Sequence, residues 1–286
     1  MNKIIERKTL ISRDRDLGGF QKFLYRNFIG RLILKLLIRP WVSKLGGFYM
    51  NRKCSKGMIK KFVKKNNIDL SQYDMTNIKC YNDFFTRKII DGARNINMES
   101  NKLISPCDSK LQAFKINEES IFNIKDSYYK VEDLIQNKEL AKEYINGYCL
   151  IFRLTVDDYH RYCYVDNGTK TKNTPIKGVL HTVNPIALER YNFYKTNSRE
   201  YCILETENFG KIIQVEVGAL MVGKISNHHQ EYAFSKGEEK GMFLFGGSTI
   251  VLLVKENIKI DEDILFNTSN NDETVVRYGE AIGTKI

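Results

Sequence analysis

The sequence predicts an α+β fold, an N-terminal helical part followed by a β-rich barrel or sandwich. Two observations predict it: a lopsided distribution of charge and a change of pattern near residue 100. The 286 residues carry 45 Lys and Arg against 34 Asp and Glu, for a net charge of +11. Residues 1–65 hold 18 of the bases and three of the acids, Glu6, Asp14 and Asp16. The other 221 residues hold 27 bases and 31 acids, so all the excess positive charge sits in the N-terminal quarter. Such asymmetry suits an anionic partner, either nucleic acid or an anionic membrane surface. Apolar residues make up 42%, which excludes a disordered chain and suffices for a sizeable core.

The helical part comes first. Residues 20–39 read as one helix, or as two short ones with a weak point at Gly30. Ile29, Leu32, Ile33, Leu36 and Leu37 follow helical spacing, while Arg31, Lys35 and Arg39 take the other side. Pro40 is expected to end this segment and Gly46-Gly47 to make a loop. A basic helix is expected over about 55–66. An apolar face with cationic flanks and the single tryptophan, Trp41, is what a membrane-facing interfacial helix needs. A helical cap packed on the rest of the protein fits the same periodicity. The longest apolar stretch, 28–37, is broken by Arg31 and Lys35 and is too short to span a bilayer, which takes about 20 apolar residues. The charged start is unlike a signal peptide.

After residue 100, short β-rich runs alternate with turn residues, at 148–155, 177–183, 201–206, 211–217, 221–225 and 249–255. Helices are expected at 131–144 and around 185–192. The six cysteines show neither a C-x-x-C pair nor metal spacing and read as reduced thiols of a cytosolic protein; no metal is expected. His181, His228 and His229 lack a partner at metal spacing and read as structural.

Three segments carry candidate chemistry: a turn with an acid, Ser105-Pro106-Cys107-Asp108-Ser109; an Asp157-Asp158-Tyr159-His160-Arg161 run after a strand; and Gly246-Gly247-Ser248-Thr249 before one. An acid, a histidine and a serine in a glycine turn are the parts of a nucleophile–base–orienter set. Each also has a plain reading, as an Asx turn, a surface charge cluster and a loop. The residues alone support a Ser/His/Asp site on a basic, membrane-inclined protein.

Six segments, in order, resemble the bacterial-type phosphatidylserine decarboxylases. They are Asn82-Asp-Phe-Phe-Thr-Arg-Lys88, Ser105-Pro-Cys-Asp-Ser109, Arg153-Leu-Thr-Val-Asp-Asp-Tyr-His-Arg161, Gly178-Val-Leu-His-Thr-Val-Asn-Pro185, Val217-Gly-Ala-Leu-Met-Val-Gly-Lys-Ile225 and Lys236-Gly-Glu-Glu-Lys-Gly-Met-Phe-Leu-Phe-Gly-Gly-Ser-Thr249. The resemblance implies a proenzyme that cuts itself between Gly247 and Ser248 into chains 1–247 and 248–286. Ser248 becomes a covalent pyruvoyl group that forms a Schiff base with phosphatidylserine and yields phosphatidylethanolamine. It implies roles for Asp108, His160 and Ser248, with Asp108 orienting the His160 imidazole, and support from Asp158, Gly246 and Thr249. Two departures stand out. Gly246 replaces a leucine common at the cleavage motif, and Cys163 replaces a second histidine, so His160 is expected to serve both stages.

The resemblance also implies a peripheral protein on the cytoplasmic face of the cell membrane, with residues 1–66 as the membrane-association segment and 67–286 as the catalytic domain. It allows a homodimer and makes nucleic acid an unexpected partner. The rival readings are a pyruvoyl-dependent decarboxylase of a soluble amino acid, a serine hydrolase, and a non-catalytic protein that binds anionic lipid or RNA. The hydrolase is disfavoured because Gly246-Gly247-Ser248-Thr249 lacks the G-x-S-x-G elbow.

Overall fold

The computed structural model describes residues 3–7, 9–14, 19–124, 127–182, 193–220, 224–244 and 248–286. Its N-terminal helices are α1 (Gly19–Arg26), α2 (Phe28–Leu37), α3 (Pro40–Met50) and, after a 3-10 turn at Lys53–Met58, α4 (Ile59–Asn66). The segment 20–39 is thus two helices, and the break lies at Asn27 rather than Gly30. The Asn27 side chain caps α2 by accepting from the backbone N–H of Ile29 at 2.9 Å and of Gly30 at 3.4 Å. Gly30 serves a different purpose. A Cβ there would lie 2.1 Å from the Phe23 carbonyl oxygen, so glycine is what lets the α1–α2 corner close. Pro40 does not end a segment but opens α3, where its missing N–H would have had no helical partner. Gly46 and Gly47 lie inside α3 instead of in a loop.

The helices dock through one face only. Leu24, Tyr25 and Leu34 are buried in the main core. The Tyr25 hydroxyl accepts from the Thr182 backbone N–H at 2.9 Å, and the Leu180 N–H donates to the Ile38 carbonyl at 2.9 Å.

The β-rich part is built on one large sheet. Its strands run in the order Tyr232–Phe234, Gly168–Lys170, Arg199–Thr206, Gly210–Val217, Ser248–Val254, Tyr148–Leu154, Ser109–Lys115, Glu273–Val276, Lys3–Glu6, Ser12–Asp14, with Thr174–Ile176 also on Arg199–Thr206. All these pairings are antiparallel except Lys3–Glu6 with Glu273–Val276. Among the described residues the path is open, with Tyr232–Phe234 at one end and Ser12–Asp14 at the other, which corrects the barrel alternative. The fold is mixed α+β, and among the described residues no helix is long and apolar enough to cross a membrane. Because Lys3–Glu6 joins it, the sheet draws on chain from both sides of residue 66.

Two smaller three-stranded sheets complete the β part. One is Arg161–Cys163, Glu239–Leu244, Lys224–Asn227; the other is Ile258–Ile260, Ala281–Lys285, Lys102–Ile104. A single hydrophobic cluster takes in Phe152, Val215 and Val251 of the large sheet and Tyr162, Phe243 and Ile282 of the small ones. The expected strands at 148–155, 201–206, 211–217 and 249–255 are present within two residues. At 177–183, Val179 makes only an isolated bridge to Asn197. The helix expected over 131–144 is two, Val131–Ile135 and Lys138–Lys142, parted by Gln136 at φ 52°. The helix expected around 185–192 lies outside the described residues, as do 221–223 of another expected strand. All six cysteines are free.

Candidate active site

Antiparallel pairing brings the candidate residues to one end of the large sheet. The strand Ser248–Val254 starts there, opposite Leu154, where the strand Tyr148–Leu154 ends. The strand Ser109–Lys115 also starts there, directly after Asp108, and the strand Glu273–Val276 ends there, just before Arg277 and Tyr278. Residues far apart in sequence, such as Ser109 and Val276, therefore meet by register.

Ser248 is fully buried, and its Oγ has no hydrogen-bond partner among the described residues; the same holds for Thr249 Oγ1. A buried hydroxyl left unsatisfied costs about 1–3 kcal/mol, so it marks a place where function overrides stability. Gly246 and Gly247 lie outside the described residues.

His160 is anchored to the strand Glu239–Leu244, which precedes residues 245–247, and to the turn after Tyr148–Leu154, the strand that pairs with Ser248–Val254. Its carbonyl accepts from the Phe243 N–H at 2.9 Å, and its ring nitrogen Nε2 lies 3.0 Å from the carbonyl oxygen of Thr155, next to Leu154. A carbonyl only accepts, so Nε2 carries the hydrogen and Nδ1 holds the lone pair. Nδ1 is buried with no partner among the described residues. The ring stacks on Phe85 with centroids 4.0 Å apart. Burial first, and then the positive charge of Arg87, push the imidazole pKa down to about 3, against the opposing pull of the Thr155 carbonyl. His160 is thus a neutral base whose cation would be short-lived.

The turn carrying Thr155 is itself clamped. Asp158 accepts from the Thr155 N–H at 2.6 Å and its hydroxyl at 2.9 Å, and from Lys110 Nζ at 2.7 Å. Lys110 also donates to Thr155 Oγ1 at 2.6 Å. Asp158 supports the imidazole indirectly, by holding the carbonyl to which it donates.

Asp108 takes a different place from the one expected. Its carboxylate receives Arg94 Nε at 3.0 Å and Nη2 at 2.5 Å, and the Tyr278 N–H at 2.8 Å. Neither nitrogen of the His160 ring bonds to it, so the expected Asp108–His160 orienting bond is absent and the Thr155 carbonyl occupies that role. The reason is geometric: a planar guanidinium satisfies the buried carboxylate bidentately, leaving it no need of an imidazole. The two turns are still neighbours, since the Cys163 N–H donates to the Pro106 carbonyl at 2.9 Å. Burial pushes the Cys163 thiol up to about 12, so it is no thiolate base near neutral pH.

Three basic residues here escaped the sequence reading: Lys110, Arg94 and Arg87. Arg87 is the most unusual. It is buried, with Nη1 donating to the Phe84 carbonyl at 3.2 Å, while Nε and Nη2 have no partner among the described residues. The guanidinium lies over the rings of Tyr73 (4.1 Å) and Phe84 (4.7 Å). Cation–π contacts contribute about 0.5–2 kcal/mol each, less than the several kcal/mol that burying an ion costs. The signal was in the sequence, in the segment Asn82–Lys88, but without a visible partner.

A family model described as phosphatidylserine decarboxylase matches residues 81–284. The chain belongs to this family. A phosphatidylserine decarboxylase proenzyme 2 from Clostridium acetobutylicum is 51% identical over 268 residues, 93% of this chain and 92% of the relative. Phosphatidylserine decarboxylase proenzymes from Clostridium botulinum (strain 657, type Ba4) and Ruminiclostridium cellulolyticum are 44% and 42% identical over 93% and 94% of this chain, and 92% of each relative. Seen as a decarboxylase-family chain, two of its resembling segments touch directly: Arg161 Nε donates to the Thr86 carbonyl at 2.8 Å, beside the Phe85–His160 stack.

Proposed function

We propose that this chain is a proenzyme that cuts itself between Gly247 and Ser248 and then, as a carboxy-lyase, converts phosphatidylserine to phosphatidylethanolamine. Membership of the decarboxylase family and the proenzyme names of its relatives support the reading. The observation that carries the chemistry is the bare, buried Ser248 Oγ at the sheet end where His160 presents a bare, buried Nδ1.

In the first stage, Ser248 Oγ attacks the Gly247 carbonyl carbon as its proton passes to His160 Nδ1. The Gly247–Ser248 C–N bond breaks, and the freed Ser248 nitrogen takes that proton, leaving an ester. The Thr155 carbonyl accepts from Nε2–H throughout and stabilises the transient cation. Burial and Arg87 make that cation strongly acidic, so it hands the proton on quickly. Loss of the Ser248 Cα proton with cleavage of the Cβ–O bond releases chain 1–247 as a carboxylate. The remaining dehydroalanine takes up water and loses ammonia, which leaves pyruvoyl on chain 248–286. Ser248 Oγ and His160 Nδ1 are not bonded to each other in this state, so the attack requires them to come within hydrogen-bond reach. The pyruvoyl ketone supplies the electron sink for loss of carbon dioxide. The overall reaction consumes one proton per carbon dioxide released; it comes from solvent and reaches the substrate carbon that has lost its carboxylate through His160 Nδ1.

A lipid substrate gives the N-terminal helices a role. Phe20 (67% exposed), Phe28 (68%), Leu32, Leu36, Trp41, Leu45 and Phe48 all face outward on α1–α3. Apolar side chains massed on an exposed face mark an interaction surface. In the proposed reading they enter the lipid interface of a peripheral protein, with the Lys and Arg residues of 1–65 drawn to an anionic cytoplasmic leaflet at about 1 kcal/mol each near the surface. Residues 19–66 would carry this role within the 1–66 segment, and 67–286 the catalysis.

Intact-mass measurement of purified protein tests the first stage: two chains, 1–247 and 248–286 with a blocked N-terminus, are expected. A single chain from active protein would sink the self-processing reading.

A further inference from the structure

The geometry points to Arg87 as the site that binds the phosphate of the substrate headgroup. This rests on the decarboxylase reading above and adds a binding residue to it. Arg87 is 98% buried, has no ion-pair partner among the described residues, and keeps two N–H donors, Nε and Nη2, unused. Two other arginines of this end of the molecule are satisfied: half-buried Arg94 by Asp108 and buried Arg153 by Glu273, each through two hydrogen bonds. Tyr73 and Phe84 hold the guanidinium in place by its faces, which leaves the Nε–Nη2 edge pre-organised for a two-oxygen anion. Its neighbour Phe85 stacks on His160, and its own charge acts on that imidazole, so an anion on this edge lies beside the reacting groups.

The substrate brings two anions, a carboxylate and a phosphodiester, and the chemistry chooses between them. The carboxylate leaves as neutral carbon dioxide. A cation paired with it would stabilise the ground state against the loss and slow the reaction. The phosphodiester keeps its charge from substrate to product, so an arginine on it holds the headgroup without opposing the chemistry. Uniform binding of this kind shows in KM rather than kcat.

The test uses two forms of the full chain. In the Ser248→Ala chain, which stays uncut, binding of glycerophosphoethanolamine is followed by its ³¹P signal, with serine and inorganic phosphate as separate probes. Glycerophosphoethanolamine binding is expected, weakened roughly 10- to 100-fold by Arg87→Gln and partly kept by Arg87→Lys. In the mature enzyme, Arg87→Gln should raise KM for dihexanoylphosphatidylserine by a similar factor, whatever the loss of the Arg87 charge beside His160 does to kcat. Serine binding that depends on Arg87 while the diester does not would reassign the residue to the carboxylate and overturn the inference. So would tight inorganic phosphate without the diester, or diester binding indifferent to Arg87. A mature wild-type chain that releases no carbon dioxide from the lipid would sink the decarboxylase reading itself. An active enzyme with an unmoved KM in Arg87→Gln sinks only the assignment of Arg87.

Discussion

The helices α1–α3 and the sheet end around Ser248 are opposites in what they leave unsatisfied. On the helices, large apolar side chains face outward, exposed among the described residues. At the sheet end, polar atoms of Ser248, Thr249, His160 and Arg87 are buried without a hydrogen-bond partner among the described residues. Either arrangement costs stability, and each makes sense once a missing participant is supplied: a lipid interface for the first, a reacting bond and a headgroup for the second. Unmet physical demand of a definite kind points to function more directly than composition does.

The comparison breaks first at the interior. Ser248→Ala and His160→Ala should each leave the chain whole and without detectable decarboxylation, read by intact mass and released carbon dioxide. Scission at the normal rate in His160→Ala would remove this residue as the base. Asp108→Asn is expected to act differently, because its carboxylate neutralises Arg94. Stranding a buried partner costs up to about 3–5 kcal/mol, so the unfolding free energy of the Ser248→Ala chain should fall by up to that much when Asp108→Asn is added. Scission in Asp108→Asn should slow only as far as the site loosens. A large scission defect without lost stability would restore a direct catalytic role.

The exterior should respond the other way. Replacing Phe28, Leu32 and Trp41 together by serine should weaken binding to anionic vesicles tenfold or more, with unfolding free energy within about 1 kcal/mol and scission intact. Vesicle co-sedimentation and intact mass read the two outcomes, and lost scission would make the helices a structural cap.

A finer test uses pH. The His160 pKa falls from 6.5 unfolded to about 3 folded. Between those values the unfolded chain binds a proton that the folded one does not. Stability is therefore complete above pH 6.5 and declines as pH falls toward 3, by up to about 1.4 kcal/mol per pH unit from this group. In the Ser248→Ala background, His160→Gln should flatten the melting temperature between pH 4 and 6. The smallest effect is expected from Cys163→Ser, which should leave scission and turnover nearly unchanged, since a thiol held at about 12 takes no part as a base.

Much of this was legible in the sequence where the signal is local. The strands Tyr148–Leu154 and Ser248–Val254 are dense in β-branched and aromatic residues, and their buried runs were found within a residue or two. Punctuation misled where tertiary contact decides: Gly30 is there to let α1 and α2 approach, and Pro40 starts a helix. At the site, Ser248 and His160 could be named from their motifs, but their partners could not. Lys110 and Asp158 lie 48 positions apart, and Arg94 lies 14 from Asp108, with no periodicity linking them. Which acid serves which base is settled by how the turns at the sheet end pack together, and only Lys110 of these four residues lies in a strand.

The strand that begins at Ser248 lies mid-sheet, between Tyr148–Leu154 and Gly210–Val217. Scission at its first residue would sever the chain and cost it the Ser248 nitrogen, while the cross-strand pairing from Thr249 onward stays in place. The mature particle would then keep a shape that its own connectivity no longer dictates. Folding must come before the cut, while 248–286 is still tethered to its neighbours. Once heated apart, the two pieces would face one another as separate solutes, 39 residues seeking a slot in the middle of a sheet. Thermal inactivation of the cut enzyme should accordingly be a one-way event governed by a rate, whereas the Ser248→Ala chain can return. The cut would turn a reversible folding equilibrium into a history-dependent one.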